Sequence, residues 1–231
     1  MKHHAVAYLE HRPRARPFNN LHQNRHDMTY RQRKSRVMLH LVREKFHMSA
    51  TFLVTGFEPF AEHRSNSSWD ALARLAPNWL DGAVVARRLP VDHGAAHVLL
   101  RQAIEELKPR VVLCMGLAKG RSFRMERRAR RPPELAAEPG ADDLFGRWPW
   151  AEMASALEQV GVVVTSSHDA GRYVCESTYW SLLSYPGPAP IPEFAGFLHV
   201  PPESDEHGIA RIAEAVGHVV NTRLRGLAAS P

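Results

Sequence analysis

The sequence predicts an α/β fold, a three-layer sandwich in which a mainly parallel, twisted sheet carries helices on both faces. Three observations lead there. Short apolar runs recur between residues 51 and 200, segments of helical period separate most of them, and Gly or Pro marks the junctions. Strands alternating with helices favour parallel pairing, because each crossover returns the chain to the edge it left.

Thr51 to Thr55 is the first apolar strand, and it runs into the loop Gly56-Phe57-Glu58-Pro59-Phe60. A helix starts near Asn66 to Ser68, residue types that cap helix N-termini, and carries Leu72, Leu75 and Leu80. Val84 to Leu89 reads as a second strand. From about Ala95 to Leu107, the residues Leu99, Leu100, Ala103, Ile104 and Leu107 recur at helical spacing, and Pro109 ends that helix. Arg110 to Met115 is continuously apolar after its first residue, as in a strand buried on both faces, and ends at Gly116. Arg127 to Pro139 is rich in Arg and Pro without period, which predicts a loop. Trp150 to Val160 is a helix stopped by Gly161, and Val160 to Thr165 a strand. Ala195 to Val200 is a strand closed by Pro201 and Pro202. The last helix, His207 to Leu227, aligns Ile209, Ile212, Ala213, Val216, Val220 and Leu224 on one face.

Charge separates the chain into two parts. Residues 1–47 hold 11 Lys and Arg against 3 Asp and Glu, whereas residues 48–231 balance to −2 within a formal total of +6. Basicity thus belongs to an N-terminal extension expected to be disordered, and the globular part offers a polyanion no electrostatic attraction. Met48, directly before the first strand, reads as an alternative translation start. The 184 residues from 48 onward suit one domain. No apolar block is long enough for a signal peptide or a membrane span. The two cysteines, Cys114 and Cys175, read as free thiols of a cytoplasmic protein. No nucleic acid and no membrane is expected as a partner, and a homo-oligomer is compatible with the sequence.

In an open α/β sheet the functional site lies at the carboxyl ends of the strands. Four segments are expected to converge there: Gly56 to Phe60, Gly116 to Arg121, His168 to Cys175, and His199 with its prolines. Cys175 follows a strand and opens a helix, where unpaired N–H groups favour a thiolate. Cys175 and His199 on one sheet edge form a candidate nucleophile and base. Cys114, inside an apolar strand, is expected to be structural. His93, His97 and His168 read as surface or loop histidines.

Five ordered segments carry a family resemblance. They are Val54-Thr55-Gly56-Phe57-Glu58-Pro59-Phe60 with Asn66, Val112 to Arg121, Met125-Glu126-Arg127, Asp169-Ala170-Gly171-Arg172-Tyr173-Val174-Cys175, and Gly196-Phe197-Leu198-His199-Val200-Pro201. Together they resemble the signature blocks of pyroglutamyl peptidase type I, a cysteine peptidase family, over about Thr51 to Leu227. The resemblance implies a cytoplasmic exopeptidase that removes N-terminal pyroglutamate from peptides, with Cys175 as nucleophile, His199 as base and Glu126 as the group that orients the imidazole. It also implies a substrate slot involving Phe57, Phe60, Asn66, Leu117 and Val174, and neither metal nor cofactor. Read without the resemblance, Glu126 among Arg124, Arg127 and Arg128 is a surface residue in a charge run.

The chain departs from the family pattern at three places. Leu117 stands where the family commonly has Gln, and Glu176 where it commonly has Asn. The family's arginine-bearing segment after Glu126 is replaced by Arg127 to Pro133, so Arg130 or Arg131 is expected to stand in for that arginine. These departures keep two alternatives open: a divergent cysteine hydrolase of altered specificity, and a catalytically silent binding protein.

Overall fold

The computed structural model describes residues 52–61, 64–79 and 82–229. The extension 1–47, the Met48 boundary and Leu80 lie outside these residues. Among the described residues, eight strands and five α-helices follow one another as β1 (Phe52–Phe57), α1 (Ser67–Leu75), β2 (Val84–Leu89), α2 (His93–Leu107), β3 (Val111–Leu117), β4 (Phe123–Glu126), β5 (Arg128–Arg130), β6 (Asp143–Phe145), α3 (Trp150–Glu158), β7 (Val164–Ser167), α4 (Val174–Leu183), β8 (Phe194–Val200) and α5 (Glu206–Ala229).

Six strands form one sheet in the order β2-β1-β3-β8-β4-β7. Neighbours pair in parallel except β4 with β8, so β4 and β7 run against the other four. The sheet is mainly parallel, as expected, with one reversal at its functional seam. Alternate side chains of the buried strands feed two apolar clusters. Phe52, Val54, Leu113, Met115, Leu198 and Val200 pack under α1, α3 and α5. Leu53, Phe57, Val112, Cys114 and Phe197 pack under α2 and α4. The result is the three-layer sandwich.

Several local expectations are corrected. β3 runs past Gly116 to Leu117. The Arg- and Pro-rich stretch is not all loop, because β5 and β6 form an antiparallel hairpin with Arg128 opposite Phe145. Its only buried strand residue in β5 is Ala129, too little apolar signal to reveal a strand. The strand expected over Val160 to Thr165 is displaced to Val164–Ser167, and it lies on the sheet edge, where exposed Val163, Thr165 and Ser166 need no apolar partner. On α2, Leu99 faces solvent and His97 takes a place in the buried row with Ala96, Leu100, Ala103 and Ile104.

Candidate active site

The seam between β3, β8 and β4 sets the site. In register, Gly116 lies beside His199 and Cys114 beside Phe197. Arg124 lies beside His199 and Glu126 beside Phe197 on the opposite flank. Partners in register and residues two apart point to one face, so Arg124, Glu126, Phe197 and His199 share the face covered by α4. Glu126 is thereby diagonal to His199 across an antiparallel pair, within reach of its ring.

Glu126 is fully buried, and its Oε1 accepts from His199 Nδ1 at 2.8 Å and from Arg124 Nη2 at 3.2 Å. The charge-run reading of Glu126 is therefore wrong: β4 turns this carboxylate inward, and Arg124 on the same face pairs with it. Tyr179 Oη donates to the Glu126 carbonyl at 2.9 Å and fixes α4 against the same strand. The Phe197 ring packs on the His199 ring with centroids 4.9 Å apart. With Nδ1 directed at Glu126, the Nε2 side of the imidazole is left for chemistry.

Cys175 is the second residue of α4, and its sulfur lies over Gly116. A Cβ placed on Gly116 would sit 2.8 Å from Cys175 Sγ and 3.1 Å from Phe197 Cζ. Glycine is required there because the sulfur occupies the space of a side chain. The loop before α4 is held by Asp169, whose Oδ1 accepts from Gly171 N at 3.1 Å and from Arg130 Nη2 at 2.6 Å. Gly171 has φ 94°, a conformation glycine adopts without strain. This segment follows β7, which runs against β8, so it reaches the site from a strand of opposite direction. The loops after β1, β3 and β8 do share one carboxyl edge, as the sequence predicted.

The thiol environment corrects the thiolate expectation. Burial pushes Cys175 up to about 12, the Glu126 carboxylate adds to this, and Glu176 contributes a smaller push, while the Cys175 backbone N–H acts the other way. Glu176 does not face solvent. It is buried in the first turn of α4, where its Oε1 accepts from the Arg130 backbone N–H. Burial raises the Glu176 carboxyl, opposed by that hydrogen bond and by the Arg130 charge.

One cavity of about 500 Å³ connects these groups. Cys175, His199, Phe57, Phe60, Asn66, Leu117 and Val174 all line it, so every expected site residue meets there except Glu126, which backs His199 from behind. Phe57 is in the core and Phe60 half-buried, its ring 6.3 Å from that of Tyr173. Asn66 spends its polar atoms on local structure: Oδ1 accepts from Ser68 N and Ser68 Oγ, and Nδ2 donates to Glu58 O at 3.0 Å. It thus holds the Phe57 to Phe60 loop. Gly56 lets that loop start, since a Cβ there would lie 2.6 Å from the Ser68 carbonyl oxygen.

Lys119, Arg124 and Arg172 also line the cavity, and sequence reading missed all three. Arg124 could have been found, because it stands two residues before Glu126 and so on the same strand face. Arg130 and Arg131 do not line it. Arg130 is paired with Asp169, and Arg131 stacks over Trp180 and donates to the Ala136 and Glu138 carbonyls, so neither replaces the family's arginine at the cavity.

Two of the histidines read as peripheral are built into the support of α4. His93 Nδ1 lies 3.0 Å from Ser177 Oγ, whose hydroxyl donates to Val174 O, so the ring nitrogen is the donor to Ser177. One turn along both helices, buried His97 meets Ser181, and its Nε2 is 3.8 Å from Glu138. Burial and Arg101 hold His97 towards its neutral form. Cys114 is fully buried and pushed up to about 12 by that burial, as expected of a structural thiol. Among the described residues no cluster of potential metal ligands occurs and no helix is long and apolar enough to cross a membrane.

The site's likeness extends to the whole domain. The family model described as pyroglutamyl peptidase matches residues 50–229. A pyrrolidone-carboxylate peptidase of Gloeobacter violaceus is 36% identical over 165 residues, covering 64% of this chain and 80% of its own length. Its counterpart in Yersinia pestis is 33% identical, covering 64% of this chain and 77% of its own length. A mutant pyrrolidone carboxyl peptidase from the hyperthermophile Pyrococcus furiosus superposes with a TM-score of 0.61 at 28% identity, over 76% of this chain and 99% of that one. The Thermococcus litoralis enzyme gives 0.62 at 25% identity, over 76% and 94%. The fold, the buried Glu126–His199 pair and the match over nearly the whole described domain lead to one conclusion: this chain belongs to the pyroglutamyl peptidase family of cysteine peptidases, and it is a hydrolase of that family.

Proposed function

We propose that the chain removes an N-terminal pyroglutamyl residue from peptides, with Cys175 as nucleophile, His199 as proton carrier and Glu126 as its orienting carboxylate. The observation that carries this reading is the buried Glu126–His199 hydrogen bond of 2.8 Å at the wall of the cavity that also takes Cys175. A neutral, flat lactam ring suits a slot walled by Phe57, Phe60 and Val174.

Burial and the Glu126 charge raise the thiol, which favours S–H at rest, so its proton moves as attack proceeds. The sulfur bonds to the pyroglutamyl carbonyl carbon while His199 Nε2 takes the proton. Glu126 stabilises the imidazolium without accepting that proton. The backbone N–H of Cys175, in the first turn of α4, is the proposed donor to the negative charge that develops on the carbonyl oxygen. His199 then protonates the departing amine as the C–N bond breaks, leaving a thioester. Water attacks this thioester, its proton passes to His199, and the C–S bond breaks to release pyroglutamic acid and the thiol. The free state of both cysteines accords with a reducing, cytoplasmic setting.

Hydrolysis of a fluorogenic pyroglutamyl amide by the purified protein, against the same amide of proline and of glutamine, tests the reading. Cleavage of the pyroglutamyl amide alone is expected. Faster cleavage of the prolyl amide would establish a hydrolase of altered specificity, and binding without turnover a silent homologue.

A further inference from the structure

The cavity is lined by Lys119, Arg124 and Arg172, and among the described residues no carboxylate lines it. A pyroglutamyl ring is neutral and uses none of these charges. Their places indicate what does. Arg124 is the strand neighbour of His199, and Ala118 N donates to Val200 O at 2.7 Å, which sets the adjoining Lys119 beside the end of β8. The two cations therefore flank the imidazole that protonates the leaving amine, so they face the half of the peptide that departs. Arg172 lies three residues before the nucleophile in the α4 approach loop.

We infer that this site selects peptides bearing a carboxylate on the leaving side, an inference that rests on the pyroglutamyl peptidase reading. The opposing charges nearby are already engaged. Glu126 lies behind His199 and is bonded to His199 and Arg124. Asp169, whose carboxyl also feels Lys119, is paired with Arg130. Arg124 gives Nη2 to Glu126, and its side chain, 29% exposed, still lines the cavity that an incoming carboxylate would enter. Lys119 and Arg172 are exposed at the mouth, where single charges act weakly and together steer an anion inward. The carboxylate has two sources: an acidic side chain on the residue after pyroglutamate, or the C-terminus of a dipeptide.

The test compares kcat/KM for pyroglutamyl-Glu-amide with pyroglutamyl-Gln-amide, and for pyroglutamyl-Ala with pyroglutamyl-Ala-amide, at low and high salt. The expected preference for the anionic member is about threefold to tenfold at low salt, shrinking as salt screens it. In the doubly substituted Lys119→Gln, Arg172→Gln protein the ratio should fall towards one. The first pair reports the side-chain source and the second the terminal one. Equal rates in both pairs, with the amides still hydrolysed, would overturn the inference and leave the peptidase reading standing. If no pyroglutamyl substrate turns over, the peptidase reading fails. Calorimetric binding of the Glu and Gln amides to Cys175→Ala protein then decides the inference by itself: tighter binding of the anion supports it, and equal binding sinks it.

Discussion

Cys114 and Cys175 are pushed up to about the same value, near 12, and yet one is packed in the core and the other is the proposed nucleophile. The difference lies in the causes and in access. Burial acts on Cys114, with a Thr55 hydrogen bond the opposing effect, and its neighbours are core residues such as Leu53, Val112 and Phe197. Cys175 adds the charges of Glu126 and Glu176 to its burial and opens onto the cavity beside His199. A raised thiol thus says nothing about function until its surroundings are named. In the proposed mechanism, the carboxylate that raises the thiol at rest is the one that stabilises the imidazolium once the proton has moved.

Replacing each sulfur breaks the comparison most sharply. Cys175→Ala should reduce kcat for a pyroglutamyl amide by at least about 10^4-fold with the fold intact. Cys114→Ala should keep turnover and lose about 1 kcal/mol of stability through a small cavity, seen in denaturant unfolding. Glu126→Gln removes a cause acting on Cys175 and absent from those acting on Cys114. It should lower kcat on the order of a thousandfold even as the thiol becomes more acidic, since the imidazolium loses its partner. Unchanged turnover would show that Glu126 has no catalytic part.

Gly116→Ala tests the position of the sulfur. Its Cβ would meet Cys175 Sγ at 2.8 Å, so the sulfur must shift, and kcat should fall about a hundredfold with little change in unfolding midpoint. Wild-type turnover in that variant would mean the thiol needs no fixed seat. Alkylation by iodoacetamide, followed by mass spectrometry, should mark Cys175 before Cys114. Because the thiol is raised, its rate should climb about tenfold per pH unit from neutrality towards pH 9. A plateau below neutrality would reveal a resting thiolate–imidazolium pair.

The smallest effect concerns Glu176. Its folded carboxyl is raised above the ordinary carboxylate range, so the native state binds the proton more tightly than the unfolded chain. The stability from that proton is complete below the unfolded value and is lost as pH rises through the folded one. Glu176→Gln keeps an oxygen for the Arg130 N–H and should stabilise the protein at neutral pH by under about 1 kcal/mol, the gain vanishing in acid. A variant less stable at neutral pH would show that the ionised carboxylate is favourable there.

The two halves of the sheet also differ in how much of them the sequence reveals. β1, β3 and β8 are legible because burial on both faces demands long apolar runs, β2 because Val84, Val85 and Leu89 bracket its charges, and α5 because a single buried stripe repeats every turn. β4, β5 and β6 are three or four residues each, and the charges of Arg124, Arg128 and Arg130 break their pattern. The reversed direction of β4 and β7 leaves no local mark, since direction is decided by how distant segments pair. Cys175 and His199 stand at element ends and could be read directly. Glu126 was visible only through resemblance, because its burial depends on β8, which lies 73 residues further along the chain at His199. His97 escaped notice because a histidine inside an apolar stripe has no signature until Ser181 and Glu138 arrive from elsewhere.

The last strand of the described residues lies in the middle of the sheet. During synthesis, a chain extended only to residue 193 has β3 and β4 in hand but nothing between them, and their edges stay unpaired. β8 joins the two halves and carries His199 into place in the same movement. The unfinished chain therefore holds Cys175 without His199, its proposed base. One strand thus closes the sheet and completes the proposed catalytic pair together.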